Sequence, residues 1–151
     1  MQSLQTLSKR AVLNQETGPN LANLTVSTIT TAGAATYTAA QLLGGQINRD
    51  PNGSGRSDVT PTAALLVAAL RAVAQQVGVQ LPQTISFDFV IQNDADAAET
   101  ITVTAGSGCT LATNHTMTIA QNNSKRFNVL ITETKSGSEA YTLRNRGTFT
   151  T

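Results

Sequence analysis

The stretch that decides the fold is Thr84–Asn93, TISFDFVIQN. Ile85, Phe87, Phe89 and Ile91 alternate with Thr84, Ser86, Asp88 and Val90, the period-two pattern of a strand with one buried face. The same pattern recurs downstream. ETITVTAG supplies Ile101 and Val103, HTMTIAQ supplies Met117 and Ile119, and KRFNVLITET supplies Phe127, Val129 and Ile131. AYTLRNRGTFT supplies Tyr141, Leu143 and Phe149. Turn-forming residues separate these runs: Asn93-Asp94, Gly106-Ser107-Gly108, Asn122-Asn123 and Ser136-Gly137-Ser138. Strands so spaced, with short polar turns, predict a mainly β fold, an antiparallel β-sandwich of jelly-roll type.

Upstream the period changes. Thr60-Pro61 is a helix start, with a capping hydroxyl and proline in the first turn, and Gly78 is a stop. One inserted helix is therefore expected over about 61–77. Leu66, Leu70, Val73 and Val77 share a face, widened by Leu65, Ala69 and Ala72. The first half is apolar almost all round, which predicts burial on more than one side. Its Ala-rich front (Ala63, Ala64, Leu65, Val67, Ala68) suits close packing in an oligomer. Before it, residues 44–60, GGQINRDPNGSGRSDVT, carry four glycines and a proline and read as one long loop. LTVSTITTA, Leu24–Ala32, is rich in β-branched residues and reads as a strand. Residues 1–20 form a polar arm ending at Gly18-Pro19-Asn20. The organisation expected is thus an arm, 1–20, and a single β-rich domain, 21–151.

Composition narrows the function. Of 151 residues 24 are threonine, only 13% are charged, and the net charge is +1. Three lysines cannot neutralise a run of phosphates, so no nucleic-acid partner is expected. No run approaches the roughly 18 to 20 apolar residues of a membrane span, and no secretory signal follows Lys9 and Arg10, so no membrane partner is expected. Cys109 is the only cysteine, which excludes a disulfide scaffold within one chain.

The chemical inventory is thin. Cys109 and His115 stand six residues apart, but nothing near them would lower the thiol pKa, and the plainer reading is an apolar cysteine and a surface histidine. Gly106-Ser107-Gly108 lacks the strand–turn–helix context of a nucleophile elbow, and Gly53-Ser54-Gly55 lacks the lysine of a phosphate loop. Asp94, Asp96 and Glu99 could offer hard oxygen ligands to calcium, yet without an EF-hand register they read as solvated turn acids. Lys125, Arg126, Arg144 and Arg146 read as a solvated, modestly basic face. No enzyme, catalytic residue, metal or cofactor is expected.

What remains is interaction. YTAAQLLGGQINR (Tyr37–Arg49), SDVTPTAALLVAALRA (Ser57–Ala72) and ISFDFVIQN together resemble small capsid-associated proteins of tailed phages and other large DNA viruses, of the head-decoration or cement type. The resemblance spans about residues 36–149. It implies a jelly-roll-like domain, made in the host cytoplasm, that forms a dimer or trimer on the capsid exterior of the virion and bridges major capsid proteins. Contact residues do not carry over by position. From the arm and the loop, Leu4, Leu7, Lys9, Arg10, Arg49, Asp50, Arg56 and Asp58 are the expected capsid or subunit contacts. The alternative is a receptor- or glycan-binding module of a tail fibre or spike, which the scarcity of aromatics disfavours.

Overall fold

The computed structural model describes residues 25–150. The expected arm, with Leu4, Leu7, Lys9 and Arg10, lies outside the described residues. The chain is mainly β, with nine strands and two helices among the described residues. In order these are β1 (Thr25–Ile29), α1 (Ala39–Gly44), β2 (Gly45–Arg49), β3 (Arg56–Val59), α2 (Ala63–Gln76) and β4 (Ile85–Asn93). Then follow β5 (Ile101–Thr104), β6 (Cys109–Leu111), β7 (Thr118–Ile119), β8 (Asn123–Glu133) and β9 (Ala140–Thr150).

A six-stranded sheet runs β1-β2-β4-β8-β9-β6, and a three-stranded one runs β3-β5-β7. Both are mixed, where an antiparallel arrangement was expected. β4, β8 and β9 are antiparallel neighbours, as their alternation suggests. By contrast β1–β2, β2–β4, β3–β5 and β6–β9 pair in parallel. Parallel neighbours require a crossover rather than a hairpin. Helix α1 supplies it between β1 and β2, and β3 with α2 supply it between β2 and β4.

The expected long loop 44–60 is mostly structure. Gly45–Arg49 is a central strand, with Ile47 wholly buried between β1 and β4, and Arg56–Val59 is an edge strand of the small sheet. Only 50–55 connects them. The two glycines conceal a helix end: Gly45 caps α1 with φ 92°, a left-handed conformation that a side chain resists. Helix α1 itself was not expected. Its signal is the capping box Thr38-Ala-Ala-Gln41, in which Thr38 Oγ1 accepts from Gln41 N–H and the Gln41 side chain accepts from Thr38 N–H.

Helix α2 also starts two residues later than expected. Its N-cap is Thr62, whose hydroxyl accepts from Leu65 N–H at 3.3 Å, while Thr60 Oγ1 accepts instead from Gly106 N–H at 2.9 Å. Gly78, at φ 72°, follows the helix end as expected. Leu66, Val67 and Ala74 face inward, but Val73 is 51% exposed and Leu65 62%. An all-round apolar sequence does not select its own buried face; the packing of α2 on the sheets does.

One core joins both sheets and both helices. Leu42, Ile47, Leu66, Ile91, Ile101 and Val129 are all fully buried in it. Burying each such side chain contributes roughly 1.5–3 kcal/mol. Phe89 and Phe127 are cross-strand partners whose rings stack with centroids 5.4 Å apart. No helix among the described residues is long and apolar enough to cross a membrane.

Candidate functional site

Exposed apolar side chains lie along the outer side of α2. Ala64, Leu65, Ala68, Ala72 and Val73 are exposed there, with no charge among them. At the N-terminal end of α2 this surface runs into an apolar groove of about 530 Å³. Its walls include Thr36, Tyr37, Val59, Pro61, Leu65 and Ser107. Two polar arrangements fix those walls.

The first is a buried ion pair. Arg49, at the end of β2, and Asp58, in β3, are both 0% exposed, with Arg49 Nε donating to Asp58 Oδ2 at 2.8 Å. Arg49 Nη1 donates to Thr31 O at 2.9 Å and to Asp50 O at 2.5 Å, and Nη2 donates to Gly33 O at 2.5 Å. Asp58 also accepts from Ala35 N–H at 2.7 Å and from the Tyr37 hydroxyl at 2.8 Å. The fork and the carboxylate thus hold segment 29–37 against β3. Burial, reinforced by the Asp58 charge, raises the Tyr37 pKa far above that of a free phenol. Arg49 and Asp58 were expected on the surface; the structure corrects this, because both serve the interior. The sequence hides this role, since a charged residue in a Gly- and Asn-rich stretch reads as solvated.

The second is the Gly106-Ser107-Gly108 turn, which docks on the start of α2. Ser107 O accepts from Ala63 N–H at 2.8 Å. A Cβ on Gly106 would stand 2.2 Å from Thr60 O, so no side chain fits. Beside the turn, the Tyr141 hydroxyl donates to Pro61 O at 2.7 Å, and burial raises the pKa of Tyr141 strongly. Burial also raises the pKa of the neighbouring Cys109 thiol, the opposite of activation. His115 Nδ1 is engaged by the Asn145 backbone instead.

Of the other expected contacts, Asp50 and Arg56 are partly exposed at the two ends of the 50–55 connection. Asp50 lies beside Asp96 and Glu99 in space, whereas Asp94 accepts from Gln92 and stands outside that group. The basic face is reduced as well. Lys125 is buried and donates to Thr116 O and Thr118 O, with burial lowering its pKa, and Arg126 pairs with Asp88 at 2.5 Å. Compared with known protein families, curated proteins and solved structures, the chain matches none of them.

Proposed function

We propose that the chain is a structural binding module, a capsid cement or decoration protein that associates with copies of itself and with a major capsid protein. The observation that carries this reading is the uncharged outer side of α2, with Leu65 62% and Val73 51% exposed. Together with the exposed Ala64, Ala68 and Ala72, these side chains make this side of the helix a candidate contact surface. It carries no charge to desolvate on association. On a lattice, each such contact is repeated, and multivalency raises weak affinity into stable occupancy. The groove beside Leu65 extends the same surface, and the buried Arg49–Asp58 pair keeps its wall rigid without offering chemistry of its own.

The glycan-binding reading gains nothing from the aromatics. Tyr37, Tyr141, Phe89 and Phe127 are buried in the core, and Phe149 is the exposed aromatic among the described residues.

Light scattering tests the proposal. The wild-type protein is expected to run as a multiple of its 15.8 kDa chain mass at micromolar concentration. Leu65→Asp/Val73→Asp should return it to the monomer with stability changed by no more than about 1 kcal/mol, since two exposed side chains are altered. It should also lose retention on isolated capsids. A monomeric wild type, or undiminished capsid occupancy by the double variant, rejects the reading.

A further inference from the structure

The C-terminal ends of the parallel strands β2 and β4 bring two loops side by side. Arg49 and Asn93 are register partners, so Asp50 and Asp94 open neighbouring loops. Asp94 N–H donates to Arg49 O at 2.9 Å and Asp50 N–H donates to Ile29 O at 2.9 Å, which fixes both starts. The buried Asn93 side chain shapes the second loop from inside. Its Nδ2 donates to Glu99 O at 2.9 Å and to Ile119 O at 3.1 Å, and its Oδ1 accepts from Ala95 N–H at 3.1 Å. Arg56 N–H donates to Thr100 O at 2.8 Å and closes the first loop onto the second.

This framework gathers carboxylate oxygens of Asp50, Asp96 and Glu99 within 4.8 Å of one another. Glu99 is only 6% exposed, and its Oε2 is buried without a hydrogen-bond partner. None of the three carboxylates belongs to an ion pair among the described residues. Like charges this close repel, and a buried carboxylate oxygen with no donor is costly. A cation removes both costs.

We propose that Asp50, Asp96 and Glu99 form a calcium site. The donors are all oxygen, which favours a hard cation over zinc or copper. Oxygens about 2.3–2.6 Å from a central calcium ion lie at most about 5 Å apart, which matches the spacing seen. Asp96 is exposed, so solvent can complete a shell of six to eight oxygens, and calcium tolerates such irregular geometry where magnesium demands an octahedron. The ion would clamp the β2–β3 connection to the β4–β5 loop, joining an end of the large sheet to β3 and β5 of the small one. Among the described residues, Arg56 Nε is the other buried side-chain nitrogen or oxygen without a hydrogen-bond partner. If it turned toward Glu99, the carboxylate would be neutralised internally and calcium would have no effect.

Calorimetric titration and thermal melting of the full chain, stripped with EDTA and then given calcium chloride alone, decide between these. The expected result is one saturable site per chain, with a midpoint on the order of 0.1–1 mM as in other low-affinity modules, and a melting temperature raised by several degrees. Asp96→Asn, altering an exposed side chain, and Asp50→Asn should each weaken binding at least tenfold while the chain stays folded by circular dichroism. Glu99→Gln should abolish it, and magnesium at equal concentration should bind more weakly. No saturable heat and no melting shift up to 10 mM calcium overturns the proposal. Binding left unchanged in both Asp50→Asn and Asp96→Asn overturns it equally.

Discussion

Arg49 and Asp58 show how much a single position depends on what surrounds it. Neither charge reaches solvent, and every polar atom of the pair has a partner in segment 29–37 or in the other residue. Removing one member leaves the other charged and buried. Arg49→Met should therefore cost about 3–5 kcal/mol, read as a lowered denaturant midpoint at constant slope. Adding Asp58→Asn should recover part of that loss, because an amide oxygen can still accept from Ala35 N–H and the uncompensated charge is gone. If the double variant is no more stable than Arg49→Met, the ion pair is not what holds this segment. Neither residue could be placed from its neighbours in sequence. The partner that buries Arg49 stands nine positions away across a connection whose composition signals a solvated loop.

Helices α1 and α2 show what local chemistry can and cannot specify. The capping box of α1 is a purely local signal, legible in Thr38 and Gln41, yet a six-residue helix is too short to produce amphipathic periodicity. For α2 the start is set by competition between two threonines. Thr62 caps the helix, and Thr60 is drawn to Gly106 of a distant turn. Thr62→Ala should destabilise the protein by about 1 kcal/mol through loss of the cap, measurable by chemical denaturation. A change below about 0.3 kcal/mol would show that the Ser107–Ala63 bond suffices to start the helix. The inward side of α2 is chosen by Leu66, Val67 and Ala74 meeting the sheets, which leaves Val73 outside although its spacing suggests otherwise.

At the scale of the whole molecule, both tyrosines of the chain belong to one core, and this links stability to alkaline pH. Burial raises the pKa of Tyr37 and of Tyr141 above the usual value near 10. Their contribution is therefore fully present below pH 10 and is lost as pH rises, since the unfolded chain ionises first. Lys125, with its pKa lowered by burial, acts in the opposite sense, but only below about pH 10.5, where the unfolded lysine titrates. Above about pH 11 stability should fall by about 2.7 kcal/mol per pH unit, the sum for two phenols. Phenolate absorbance should rise together with loss of circular dichroism. A separate, non-cooperative phenol titration near pH 10 in the folded protein would contradict the burial of both rings.

The sequence by itself determined the mainly β class, the strands β1, β4, β5, β8 and β9, the presence and end of α2, and the buried faces of Phe89, Ile91, Phe127 and Val129. These follow from period-two alternation, β-branching and turn residues, which act over a few neighbouring positions. Only the tertiary structure decided the parallel pairings, the conversion of Gly45–Arg49 and Arg56–Val59 into strands, and the face that α2 exposes. It also decided that Asp50, rather than Asp94, joins Asp96 and Glu99. The physical reason is common to all four. Each depends on which segments become neighbours across a crossover, and alternation along one strand carries no record of the strand beside it.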